Sequence, residues 1–204
     1  MVTGVNATVK LTTPPPLQID GDLDSDIVFH EYGHGLTWRM IGRMSGPLAG
    51  AIGEGMSDVL AILINGDDRI GEYSFSDPIG IRSAPYTNYG RTYGDVTGSE
   101  VHFDGEVYAA IGWELGRLFA SRTSTLFDYL VQGMTFTPAQ PKFENMRDGI
   151  LTAVNVSGTA ADACLVWQAF AKFGVGVGAT ATVRGSTIIA SESFTLPAGC
   201  STAP

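Results

Sequence analysis

Phe29-His30-Glu31-Tyr32-Gly33-His34-Gly35-Leu36 sets two of the chain's three histidines four residues apart around a glutamate. On a helix, residues four apart share a face, so His30 and His34 can aim both imidazoles at one point. Glu31 stands three residues before His34, near enough to that face to touch a water bound at the same point but too far round to be an equal ligand. His-Glu-x-x-His therefore reads as two zinc ligands, His30 and His34, with Glu31 as general base.

Two imidazoles need a third protein ligand if a fourth position is to stay open for water. A histidine six residues after His34 would be one solution, but Met40 stands there. His102 is the one histidine left over, while Glu54 follows in Gly53-Glu54-Gly55-Met56-Ser57-Asp58. Asp58 lies one helical turn after Glu54 on the same face, where it can accept a hydrogen bond from a ligating imidazole and fix its tautomer. Glu54 is the expected third ligand and Asp58 its supporting carboxylate.

The 204 residues, 44% of them hydrophobic, suffice for one domain with a real core. A net charge of −9 with no basic run argues against nucleic acid or an anionic membrane as partner. The longest purely apolar run, 59–64, is far below a membrane span. No basic patch followed by an apolar core opens the chain, so no signal peptide is expected. Low charge, 26 glycines and only two cysteines nevertheless suit a trimmed secreted protein. Cys164 and Cys200 either form a disulfide or stay as buried thiols, and spacing does not choose. Asn6 and Asn155 head triplets of the glycosylation pattern.

Segment 5–11 alternates weakly and Pro14, Pro15 and Pro16 bar any helix, so 1–19 reads as an extended edge strand and linker. Asp24 or Ser25 caps a helix expected over 27–44, ended by Gly46-Pro47, and a buried helix over 52–65 stops at Asn65-Gly66. Residues 66–98 are loop-rich, and so long an irregular stretch is usually functional. Helices are expected over 101–121, 124–132, 146–154 and 161–172, and 180–196 is β-prone. The expectation is one domain over 1–204, α+β and predominantly helical, with 20–204 a zinc-binding core ending in a short β segment.

His30-Glu31-x-x-His34 followed by Glu54-x-x-x-Asp58 resembles the glutamate-zincins typified by thermolysin. Closer still, the stretches DGDLDSDIVFHEYGHG, GEGMSD, GIRSAPYTNY, EVHFDGEVYAAIGWEL, FENMRDGILTA and CLVWQAFAKFGVG resemble fungalysins, secreted metalloproteases of fungi and bacteria, from about Asp20 to the C-terminus. Met56, where the fungalysin motif usually has tryptophan, and Phe103-Asp104 depart from the pattern without touching a ligand. The resemblance implies a zincin fold, zinc, and an endopeptidase acting on peptide or protein substrates. It makes His102 the oxyanion donor, oriented by Glu100 or Asp95. Arg82 becomes the holder of a substrate carbonyl, with an ordinary surface salt bridge as its alternative. One of Tyr86, Tyr89 and Tyr93 could add an oxyanion hydroxyl, because Ser45 occupies the place of the thermolysin tyrosine.

Ser25 where an EF-hand needs glycine excludes that loop, and Glu31 cannot serve both calcium and the zinc site. The resemblance of NGDDRIGEY to a thermolysin calcium loop instead gathers Asp26, Asp67, Asp68 and Glu72, against the alternative of a solvated acidic surface. No Gly-x-Met-Glu-Asn-type segment for a free amino terminus is present, which favours an endopeptidase over an aminopeptidase. Only 29 residues precede His30, fewer than the β-rich part such enzymes carry, so the chain reads as a processed or excised catalytic portion, with a naturally compact variant as the alternative. The rival function is a zinc-binding module without a complete cleft, serving binding or structure. A monomer is expected.

Overall fold

Asp24 caps the first helix by accepting the Asp26 backbone N–H at 3.0 Å, in the role sequence offered to it or Ser25. The computed structural model describes residues 19–201. The extended 5–11 segment, the three prolines and the Asn6 triplet lie outside the described residues. Helix α1 runs Ser25–Met40, shorter than the expected 27–44 at its far end, because Gly42 turns to φ +91°. Helix α2, Pro47–Asn65, begins five residues before the expected start. Pro47 opens this helix: its missing N–H is one that no helix start can pair. Gly66, at φ 71°, closes it.

The loop-rich span holds a short helix α3, Glu72–Phe75, and 3-10 turns at Tyr86–Asn88 and Tyr93–Asp95. Then follow α4 (Val101–Phe119), α5 (Thr123–Thr135), α6 (Phe143–Ser157) and α7 (Ala160–Lys172). Strands β1 (Thr180–Arg184) and β2 (Thr187–Ser191) pair antiparallel with Thr180 opposite Ser191 and Arg184 opposite Thr187. The described residues are thus predominantly helical with one two-stranded sheet. A disulfide joins Cys164 to Cys200, with Cα atoms 5.3 Å apart, and fastens the C-terminal segment to α7.

Helix α2 is the centre of the core. It is long and apolar enough to cross a membrane by length and composition, yet 72% of that window is buried inside the protein, as for a core helix. Helices α1 and α4 pack on either side of it, and two glycines set how closely. A Cβ on Gly33 of α1 would come within 2.6 Å of the Ser57 Cα, and one on Gly55 would meet the Gly105 carbonyl oxygen of α4. These close crossings bring α1, α2 and the start of α4 to one place.

Candidate metal centre

Helix α1 turns His30 and His34 toward α2, their rings 4.8 Å apart at 88°. Glu54 answers from α2, with Oε2 3.3 Å from His30 Nε2 and 3.6 Å from His34 Nε2. The three ligand atoms lie within 4.8 Å of one another. Glu54 Oε2 is buried and has no hydrogen-bond partner, although imidazole nitrogens surround it. An orphaned buried carboxylate oxygen is costly. A cation held among two imidazole nitrogens and a carboxylate oxygen removes that cost, and this donor set suits zinc.

Asp58 stands behind His30. It is fully buried and takes His30 Nδ1 on Oδ1 at 2.6 Å, Arg82 Nη2 on Oδ1 at 2.8 Å, Arg82 Nε on Oδ2 at 2.7 Å, and the Tyr86 hydroxyl on Oδ2. Burial alone would raise the Asp58 carboxyl, but the hydrogen bonds from His30 and Arg82 outweigh it and hold the group down at about 2. An ionised carboxylate only accepts, so His30 Nδ1 carries the proton and Nε2 presents its lone pair to the site. Burial likewise opposes charge on His30, yet Asp58 and Glu54 raise it to about 9, so in the metal-free site Nε2 also carries a proton, which a bound cation would replace. Burial lowers His34, which favours the neutral ring a metal needs.

His102 begins α4. Its N-cap Glu100 accepts the backbone N–H of His102 at 3.1 Å and of Phe103 at 2.7 Å, and takes His102 Nδ1 at 2.5 Å. Of the two carboxylates considered for orienting this histidine, Glu100 does so, while Asp95 accepts the Thr92 N–H instead. His102 Nε2 ends 3.3 Å from Glu54 Oε2, on a side chain 53% exposed. Glu31 is exposed and lines, with His34, Glu54, Trp38 and Met44, a cleft of about 480 Å³ along this edge of the site.

Arg82 is no surface salt bridge: only 8% exposed, it gives Nε and Nη2 to Asp58, and Nη1 makes no bond among the described residues. The three tyrosines offered as oxyanion donors are committed elsewhere. Tyr86 binds Asp58, Tyr89 binds Glu106 and Tyr93 binds Glu144, all three buried. Of the acidic set, Asp26, Asp67 and Glu72 line one open cleft, whereas Asp68 turns away to the Thr87 N–H and Arg69. Burial and the neighbouring Asp67 and Asp26 raise Glu72, whose Oε2 is buried without a partner. Sequence reasoning missed the Arg82–Asp58–Tyr86 network. The signal was the tyrosine four residues after Arg82, in a loop otherwise read for its exposed chemistry.

The fold and site together place two histidines and one glutamate of adjoining helices where they could hold one metal ion, in a predominantly helical fold of the zincin kind. The family model of the Fungalysin metallopeptidase (M36) matches residues 9–179, and the chain belongs to that family. It is 34% identical over 227 residues to "Extracellular metalloproteinase MEP" of Pyricularia oryzae, covering 92% of this chain and 35% of that protein. It is 32% identical to "Extracellular metalloproteinase 2" of Arthroderma gypseum, covering 93% of this chain and 35% of the relative. It is also 32% identical to "Extracellular metalloproteinase 4" of Trichophyton tonsurans, covering 89% and 34%. The chain therefore spans about a third of the length of the curated relatives it matches.

Proposed function

We propose that the chain carries the catalytic centre of a secreted zinc endopeptidase that cleaves extended polypeptides. The observation that carries this reading is the orphaned Glu54 Oε2 facing His30 and His34, with Glu31 and the His102 Nε2 beside it. His30, His34 and Glu54 would hold the zinc ion, which when bound would supply Lewis acidity toward a water and the scissile carbonyl. Glu31 takes the water's proton as general base and passes it to the leaving amine as general acid. The water oxygen attacks the carbonyl carbon, and His102 donates from Nε2 to the developing oxyanion. With Nδ1–H held by Glu100, that donation requires the imidazolium form. Asp58, Arg82 and Tyr86 act through His30, keeping its tautomer. Arg82 Nη1 is the one nitrogen of that guanidinium left to reach a substrate carbonyl.

A closed four-ligand structural zinc site would need neither Glu31 nor His102, so their placement favours hydrolysis over a purely structural module. The names of the relatives support a protein substrate and export from the cell. The test is hydrolysis of casein by the zinc-loaded chain. Activity should vanish on chelation and return with zinc, whereas a zinc-loaded chain that leaves casein intact contradicts the reading.

Calcium is the second cation of this proposal, shared by Asp26, Asp67 and Glu72, because three carboxylates facing one cleft repel one another without it. Calcium should raise the unfolding temperature by several degrees in wild type, on the order of 2–4 °C per kcal/mol of binding. A rise of the same size in Asp26→Asn would remove that site.

A further inference from the structure

His102 has an exposed place for a residue with a demanding task. Its side chain is 53% exposed and it stands in the first turn of α4. Helix ends fray, because their first N–H groups find no partner within the helix. An oxyanion donor tolerates little of that, since a misplacement of about 1 Å can cost about 100-fold in rate. Glu100 meets part of the need by holding the His102 ring and two backbone N–H groups. Yet Glu100 belongs to the same exposed turn and moves with what it holds.

The loop before α4 ties this turn down through Arg91. Its guanidinium lies over the Phe103 ring, 3.6 Å from the centre, and Nη1 donates to the Phe103 carbonyl at 2.6 Å. The residue that follows His102 is thus gripped by side chain and backbone together. Nη2 donates to the Asp95 carbonyl at 2.8 Å and stands 3.5 Å from Oδ1 of the fully buried Asp104. Asp104 in turn accepts the Thr97 N–H at 3.2 Å and the Gly98 N–H at 2.6 Å, which fastens the 95–98 turn to the start of α4. The hairpin backs this assembly. Ile188 donates its N–H to the Thr97 carbonyl at 2.9 Å, and a Cβ on Gly98 would run into the Ser186 carbonyl oxygen.

We propose that Arg91 is a positioning residue: by gripping Phe103 and Asp104 it keeps the His102 ring where Nε2 meets the developing oxyanion. This rests on the endopeptidase reading and deepens it. Arg91 does not line the 480 Å³ cleft beside the metal ligands, so it is no catalytic residue and acts through His102. Lysine cannot replace it, because one ammonium does not stack on a ring and donate in fixed directions to two carbonyls at once.

The experiment compares zinc-loaded wild type, Arg91→Lys, His102→Ala and the double variant on an octapeptide spanning a bond of casein. Affinity for an octapeptide phosphinate, whose oxygens stand for those of the tetrahedral intermediate, is measured on the same four chains. Arg91→Lys should lower kcat about tenfold with KM unchanged, and should cost nothing further once His102 is alanine. Phosphinate affinity should follow the same pattern. In the metal-free chain, amide exchange at 102–104 should rise about tenfold in Arg91→Lys while that at 107–115 stays put. Phe103→Leu, at a position 42% exposed, removes the stacked ring without disturbing a buried group, and should act in the same direction if Arg91→Lys fails to fold. If wild type cleaves nothing while Arg91→Lys weakens phosphinate binding only in the presence of His102, the positioning stands and hydrolysis fails. Equal losses with and without His102, or a lower unfolding temperature with kcat and affinity unchanged, make Arg91 a structural residue and overturn the proposal. A wild type that neither cleaves the peptide nor binds the phosphinate overturns both readings.

Discussion

At the scale of single residues, Asp58 has the largest consequences per atom. It accepts four hydrogen bonds while buried, and one of them decides which nitrogen of His30 faces the site. Asp58→Asn leaves the Arg82 cation buried without its counter-charge, which costs about 3–5 kcal/mol when one partner of a buried pair is removed. The same change weakens the hold on His30 and should lower zinc affinity about 10–100-fold. Denaturant melts and zinc competition with a chelator check both, and a variant as stable and as zinc-avid as wild type would refute the positioning role. The convergence of His30 and His34 was legible in sequence because residues four apart share a helix face, and the two rings do lie 4.8 Å apart. Arg82 and Tyr86 were not legible, since nothing in a loop sequence states which way a long side chain folds back.

At the scale of elements, the site depends on α4 holding its place against α2 and α7. Glu114 of α4 is buried and receives Arg117 at 2.5 Å and Lys172 of α7 at 2.8 Å. Burial would raise its carboxyl, but those two partners outweigh it and hold the group below the ordinary 4.5. A folded-state pKa below the unfolded one contributes stability above about pH 4.5 that is lost as pH falls through the folded value. Glu114→Gln should therefore cost about 1 kcal/mol at pH 7, kept modest because Arg117 and Lys172 are half exposed. That difference should shrink progressively as pH falls below 4.5, and a gap unchanged with pH would contradict the account. Helix boundaries carried the main sequence error at this scale. Pro47 was read as a stop because proline breaks helix interiors, yet at a first turn the same missing N–H makes it a start. Gly42 ended α1 instead, a role its neighbours in sequence did not mark.

At the scale of the whole molecule, the helical class was readable from apolar periodicity, and the small sheet from the β-prone 180–196 stretch, which forms a single hairpin. The choice between a disulfide and two thiols was not, because spacing along the chain says nothing of the 5.3 Å between Cα atoms. Nor could sequence alone show that the acidic residues 67, 68 and 72 would divide, Asp68 turning to Thr87 and Arg69 while the others face Asp26. What the molecule assembles is a cluster of two histidines and a glutamate from two helices, a histidine from a third, and a cleft beside them.

The central claim is that Glu31 works on water at a centre it does not help to hold. Its direct measurement is casein hydrolysis by Glu31→Gln with bound zinc quantified in the same samples. The account predicts zinc content equal to wild type and a rate reduced at least 100-fold, as for loss of a general base. A Glu31→Gln chain that holds zinc and cleaves at the wild-type rate would contradict it.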